Sequence, residues 1–487
     1  MMTGNNNPDG NNATEVNIIQ TNEGAKDGQN KCPKCGSTDI SFNIESSLLR
    51  CNFCRFEFQA EQIADPNVDL SRLEGTHIGV GATDIVAGAD DIITLKCQSC
   101  GAEVVIDTND SMGARCHWCR NTLSIAQQIP NGAVPDMVLP FRVNKSDAQV
   151  EINNFVNKRR FFAHPTFKGE FTTENIMGVY LPHMIVDKNA HVKLSGQGER
   201  LVRKYTVSTG RNSSRTVYDA DLYNVEREFD LTIDGLKIIA SSDKLDKSSS
   251  SVTNNVINAI KPFDVENSVK WDANYLRGFA SEKRDTNIDD LREMVDVKAK
   301  DIARHTANQT LKEYDRGVRW NREELNVKGQ TWKAAYLPVW LYSYQQRKES
   351  GDHLLHYVAV NARDKKTMGS VPINKARLFL ISAIIQLLCT PIGLRLSWLI
   401  LIADGEEAAL IPLLLLSAGF LFYFYIYKKY RNKDARYMHE TDTKTTLSNV
   451  TGRDTFVRRL TRLSNAKMKN ANNESVGYKL GATSRWR

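Results

Sequence analysis

The sequence predicts a multidomain α+β protein: two small β zinc ribbons, a mixed α/β cytoplasmic body, and a C-terminal transmembrane helical hairpin. Three observations predict it. Eight of the nine cysteines fall into two copies of one spacing, and two apolar runs near the C-terminus flank a short acidic turn. The long stretch between these features mixes helix-period and strand-period patterns. A chain of 487 residues is too long for one core, so several units are expected. The mean hydropathy of -0.41 makes any membrane part a minority.

The cysteines come first in the chain. Cys32, Cys35, Cys51 and Cys54 form C-x2-C, a gap of 15 residues, then C-x2-C. Cys97, Cys100, Cys116 and Cys119 repeat the pattern, displaced by 65 positions. Gly36 and Gly101 follow the first pair of each set and permit the positive φ that a metal knuckle needs. Two knuckles aim four thiolates at one tetrahedral ion, and a full set of four leaves no open position for a catalytic water. Two structural zinc ions are therefore expected. The intervening segments Ile40–Ile44 and Glu103–Ile106 read as short strands, too small to fold without metal. Residues 1–30 are rich in Asn, Gly and Asp without an apolar run, so no secretory signal is expected and the thiols should stay reduced. His117 is surplus to a complete cysteine set, and Cys389 reads as a small apolar residue.

The membrane signal is the second strong one. Leu378–Ala403 is almost entirely apolar, broken mainly by Pro391 and Arg395, and Ala408–Tyr427 is a second run of 20 residues. Each suffices for about 30 Å of hydrocarbon, which takes about 20 helical residues. Asp404–Glu407 forms the turn, and Tyr423, Tyr425 and Tyr427 gather at one end like an interfacial belt. Lys375 and Arg377 precede the first run, and Lys428, Lys429, Arg431 and Lys433 follow the second. Basic outer flanks and an acidic turn predict a multi-pass protein of the cell membrane, with both termini and both ribbons cytoplasmic. Arg395 lies toward the turn, where Asp404 or Glu406 can pair with it.

The remaining divisions follow from composition. Residues 1–30 read as a disordered tail, 31–60 as the first ribbon, 61–92 as a Gly/Ala/Asp-rich linker and 93–129 as the second ribbon. The body spans 130–373, the hairpin 374–430 and a basic tail 431–487. The linker predicts that the ribbons fold as independent modules. Within the body, Lys145–Phe161 reads as a helix with Val150, Phe155 and Val156 inward, and Tyr180–Leu194 as strand. Ile288–Leu311 is the clearest helix, since Ile288, Leu291, Val295, Ala299 and Ile302 hold a 3.6-residue period. Its carboxylates Asp289, Asp290, Glu293 and Asp301 read as a solvated face. Trp332–Tyr344 and Tyr357–Asn361 read as a strand pair. Tyr-Leu-Pro occurs at 180–182 and again at 336–338, which suggests an internal duplication.

Charge is unevenly placed. Lys428–Arg487 holds 15 basic and 5 acidic residues, leaving 49 basic and 52 acidic in the rest of the chain. Within the tail, Phe456, Val457, Leu460 and Leu463 interleave with Arg458, Arg459, Arg462 and Lys467, a pattern that as a helix would lie on an anionic leaflet. There is no G-x-x-x-x-G-K-[ST], H-E-x-x-H or G-x-S-x-G. His353 and His356 would face opposite sides of a strand. No catalytic constellation emerges, and the protein is not expected to be an enzyme.

The paired ribbons, the stretch Val138–Val143, the two Tyr-Leu-Pro segments and Tyr357–Asn361 followed by Gly369–Lys375 together resemble a group of bacterial TFIIB-type double zinc-ribbon membrane proteins. The resemblance spans residues 31–430. Members are often labelled primosomal or helicase-like, a label that the missing phosphate loop argues against here. Some are associated with SPFH-domain proteins and the phage-shock envelope-stress system, so the resemblance implies a membrane-anchored scaffold with an SPFH-domain partner. The alternative is a membrane-tethered nucleic-acid-binding protein. Lys31, Lys34, Arg50, Arg55, Arg115 and Arg120 are balanced by Asp39, Glu45, Glu57, Glu103 and Asp107, which favours the scaffold.

Overall fold

The computed structural model describes residues 32–60, 69–85, 135–347, 353–402, 414–431 and 442–463, apart from short breaks, with isolated strands between them. One of these, β1 (Ile18–Gln20), pairs in parallel with β5 (Gly75–Ile78). The first ribbon is an antiparallel sheet of β2 (Ile40–Asn43), β3 (Leu48–Cys51) and β4 (Glu57–Phe58). The expected second ribbon contributes β6 (Ile93–Lys96), β7 (Glu103–Ile106) and β8 (Gln128–Pro130), while its four cysteines lie outside the described residues.

The body is built around two long strands, β10 (Met177–Gly210) and β14 (Val318–Arg347), paired antiparallel at the centre of a 14-stranded curled sheet. Both are rich in Val, Leu and Tyr, and β14 adds Trp320, Trp332 and Trp340, residues that suit a pleated surface packed on each side. Tyr180 and Tyr336 face one apolar cluster, while Val179, Leu181, Leu337 and Val339 face another, as a two-residue period requires. Register shifts at Val186/Lys188 and Leu201/Arg203 let strands of this length bend.

The two Tyr-Leu-Pro segments meet in the middle: Tyr180 pairs with Pro338, Leu181 with Leu337, and Pro182 with Tyr336. Around that point the body repeats itself. In the first half β9 (Met137–Val138) leads into α1 (Lys145–Asn157), then β10 and β11 (Ser213–Ile239). In the second half β13 (Ala280–Glu282) leads into α4 (Ile288–Gln309), then β14 and β15 (His353–Asn361). Each half lends its first strand to the other. Met137 and Val138 pair with Ala335 and Tyr336, while Ala280 and Ser281 pair with Val179 and Tyr180. Ala240 N–H donates to Pro182 O as Ala362 N–H donates to Pro338 O. Asn144 and Asn287 cap the two helices, each accepting the backbone N–H of an aspartate, Asp147 or Asp290.

Helix α4 buries Ile288, Leu291, Val295, Ala299 and Ile302, all five positions that its period selects. Asp301 is corrected: it is buried and paired with Arg304, whereas Asp290 closes the capping box. Helix α1 buries Ala148, Ile152, Phe155 and Val156, and Val150 is 56% exposed, because the inward stripe runs i, i+4, i+7, i+8 from Ala148. His356 is buried between Ser370 and Gln346, an ordinary packed histidine.

Two expectations fail outside the body halves. Residues 75–78 of the expected linker form a strand beside β14, Gly75 opposite Gly329. The basic segment after Arg453 is strand rather than membrane-surface helix: β17 (Lys444–Leu463) runs along β11, pairing Phe456 with Tyr223 and Leu463 with Val217. Its Thr445, Thr446, Thr451, Thr455 and Thr461 favour extended backbone, and Arg459 and Thr461 bond Asp221 and Asp219 across the ladder.

Between β16 (Thr367–Gly369) and β17 the described residues include the helices α5 (Lys375–Ile402) and α6 (Ala418–Arg431). Among the described residues α5 alone is long and apolar enough to cross a membrane. Within Lys375–Leu399 its most apolar 18-residue window has mean hydropathy 1.8, and 17% of that window is buried. Phe379, Leu387 and Trp398 are exposed on it. Helix α6 runs back along α5: Gly419 N–H donates to Gln386 Oε1 at 2.9 Å, and Gln386 Nε2 donates to Leu416 O at 2.8 Å. Its end returns to the body, where Tyr430 O accepts Val371 N–H and the Tyr430 hydroxyl accepts Phe162 N–H.

Candidate metal centre

The first ribbon's two knuckles are copies in hydrogen bonding as well as sequence. Gly36 N–H donates to Cys32 O and Cys32 N–H to Ser37 O, just as Arg55 N–H donates to Cys51 O and Cys51 N–H to Phe56 O. The residue after each second cysteine takes a left-handed conformation, Gly36 at φ 74° and Arg55 at φ 63°. Glycine does this freely, whereas arginine is strained there.

The turns bring Cys32, Cys35, Cys51 and Cys54 together, with their sulfurs within 4.8 Å of one another. Cys32 Sγ lies 3.6 Å from Cys54 Sγ, and Cys35 Sγ lies 3.6 Å from Cys51 Sγ. A disulfide would need about 2.05 Å. Four sulfurs about 2.3 Å from a central zinc stand about 3.8 Å apart along each tetrahedral edge. The four sulfurs are therefore close enough together to hold one metal ion. Cys32 and Cys51 are buried and Cys35 is exposed, so the cage is rooted in the ribbon core and open at one side.

The backbone prepares a thiolate. The Cys54 N–H points at Cys51 Sγ, 3.5 Å away. With the Phe53 N–H it lowers the Cys51 pKa to about 6. Cys35 is pushed up to about 12: a hydrogen bond from the Ser37 backbone lowers it, but desolvation by the surrounding cage and the adjacent thiols of Cys54, Cys51 and Cys32 together outweigh that bond. Four thiols so close cannot all ionise without a cation to share the charge.

No family model, curated protein or solved structure matches the chain.

The sequence places these four ligands together, and the structure assembles them. Cys97, Cys100, Cys116 and Cys119 lie outside the described residues, as does His117. The strands flanking the Cys97–Cys100 pair close as a hairpin, Lys96 opposite Glu103. Cys389 is half-buried on α5.

Sequence reasoning missed two features. The first ribbon is not independent of the body. Phe42 packs on Tyr275 with centroids 5.1 Å apart, the Tyr275 hydroxyl accepts Ala60 N–H, and Arg277 bonds both Asp39 and Ile40 O. Ile40, Leu49, Cys32 and Cys51 accordingly share one apolar cluster with Phe141, Phe162 and Leu378. The second feature is the ribbon tip. Phe53 is 80% exposed between Cys51 and Cys54, and Lys34 sits 5.9 Å from the ring of half-exposed Phe56. The only sequence signal was a phenylalanine inside a metal turn, where core packing has no use for one.

Proposed function

We propose that this protein is a membrane-anchored zinc-ribbon scaffold that holds a partner-recruiting tip at a fixed distance from the cell membrane. The observation that carries the reading is the path of the chain. It leaves the body sheet after β16, runs out along α5, returns along α6 to Phe162 and Val371, and re-enters the same sheet as β17. If α5 crosses a membrane, the pairing of β17 with β11 requires an even number of crossings. A two-span hairpin from Leu378–Ala403 and Ala408–Tyr427 meets that requirement. Basic flanks on both helices then favour a cytoplasmic body, which agrees with reduced thiols. The ribbon tip, with Phe53 exposed and the metal cage behind it, is the recruiting surface. The expected ion is zinc, one per ribbon, and the second ribbon is expected to match the first. By the family resemblance, an SPFH-domain protein is the first candidate partner, acting in envelope stress.

Reporters fused before Cys32 and after Leu463 should both read as cytoplasmic, with a reporter at Asp404–Glu407 outside. Opposite sides for the two ends would refute the hairpin. The full-length protein, purified from solubilised membranes, should retain a membrane-protein partner that Phe53→Ser loses while zinc content stays the same. Equal recovery with both proteins would refute the tip as the docking surface.

A further inference from the structure

The underside of the body, where α5 leaves it, carries a polar pocket that neither the metal centre nor the anchor explains. Three segments build it: the end of α1, the turn Arg160–Phe162, and α2 (Pro165–Glu170). Its volume is about 330 Å³, lined by Asn157, Arg160, Lys168, Thr172 and Thr173 above an apolar floor of Phe167 and Phe171. That volume falls within the range of small-ligand clefts, about 300–1,000 Å³.

Backbone bonds tie the pocket to the start of α5. His164 N–H donates to Pro372 O and Asn374 N–H to Phe162 O, both at 2.8 Å. Lys168 Nζ reaches Phe161 O at 3.5 Å, and the Arg377 guanidinium lies 4.3 Å from the Phe161 ring centre. Phe161, next in the chain to the pocket residue Arg160, is 56% exposed. Like charges crowd here. Burial, then Arg377 and Arg160, lowers the Lys168 pKa. Glu170, on the same helix, turns instead to the Tyr344 hydroxyl. A cluster of cations around hydroxyl and amide donors is unfavourable alone and suits an anion carrying several oxygens.

The position decides which anion. Arg377 occupies the first turn of the helix whose apolar side chains begin at Leu378, so headgroups around α5 would lie level with Arg377 and the Phe161 ring that it touches, beside the pocket. We infer that this pocket binds the phosphate headgroup of an anionic phospholipid in the membrane that α5 enters. The inference rests on the proposed anchoring. Arg160 and Lys168 contact the phosphate, Asn157, Thr172 and Thr173 donate to its ester oxygens, and Phe161 lies against the chains. The lipid would then fix the body's tilt on the membrane.

The test uses the full chain in nanodiscs of phosphatidylcholine alone or mixed with phosphatidylglycerol. Lipid retention is read by native mass spectrometry and backbone protection by hydrogen exchange. Phosphatidylglycerol should be retained preferentially and should slow exchange across residues 158–173. Arg160→Gln with Lys168→Gln should lower that retention about thirtyfold, the effect of two juxtamembrane charges. Equal retention of both lipids by inserted protein, or an unchanged double variant, overturns the inference alone. The same protection from inorganic phosphate without anionic lipid also overturns it, because the site then serves a soluble anion. Failure to insert overturns the anchoring and this inference together.

Discussion

Cys51→Ser tests how far the metal centre reaches. The change removes one of four sulfurs, and a ribbon of three short strands has no core to replace the zinc, whose binding is about 10–16 kcal/mol of folding free energy in comparable small domains. The ribbon should unfold and the protein should lose one zinc. The body loses only its contacts with the ribbon. The Phe42–Tyr275 pair, at 5.1 Å, is worth about 1 kcal/mol. The Ala60-to-Tyr275 hydrogen bond adds about 1 kcal/mol. The exposed Arg277–Asp39 pair adds about 0.5 kcal/mol. A loss of about 2–3 kcal/mol should lower the body's melting temperature by about 5–10 °C for a unit of this size. No tryptophan lies in residues 31–60, and Trp271, Trp320, Trp332 and Trp340 lie in the body, so with Trp118, Trp398 and Trp486 changed to Phe tryptophan fluorescence follows the body during heating. Zinc loss with an unmoved body transition would show that the ribbon is not docked in solution. Loss of the whole transition would show that the body cannot stand without it.

Other outcomes follow from particular residues. Arg55→Gly relieves a left-handed arginine and should stabilise the first ribbon by about 0.5–1 kcal/mol, read as tighter zinc retention against a chelator. Gly196→Ala would set a Cβ 2.2 Å from Arg319 O in the central strand pair, and should cost about 3 kcal/mol in denaturant unfolding. Asp230 has a pKa well below the usual carboxylate range, through Lys328 first and then Asn449 and His191. A carboxyl so depressed adds stability above about pH 4, its unfolded value, and loses it as pH falls through the folded one. Asp230→Asn should therefore weaken the protein at neutral pH, with hydrogen exchange rising across 444–463, and the difference should vanish in acid.

The parts legible in the sequence are those governed by local rules. Four thiols at fixed spacing dictate their own geometry, and α4 shows its buried face because five apolar side chains keep one period. Helix α1 was legible as a helix, but its stripe was misplaced by one apolar residue, Val150, that the fold leaves outside. The basic strand β17 was misread because Phe456, Leu460 and Leu463 also satisfy helical spacing. A strand exposed on both faces carries no two-residue apolar signal to contradict it. Its partner β11 lies more than two hundred residues earlier, across the apolar helices, and no local pattern encodes that pairing. The docking of Tyr275 on Phe42 was hidden for the same reason. Each side chain reads as an ordinary aromatic until the chain brings them together.

The exchange of β9 and β13 between the halves of the body has a consequence for how the halves depend on each other. Two strand–helix–hairpin units that each complete the other's sheet with a strand have the arrangement of a two-fold dimer, held here within one chain. The flank beside α1 carries the first ribbon and the base of the apolar helices, while the flank beside α4 is closed by the curled sheet. Neither half has a complete sheet by itself, so a change of volume at Leu181 is felt at Leu337, which it faces across the centre of the pairing.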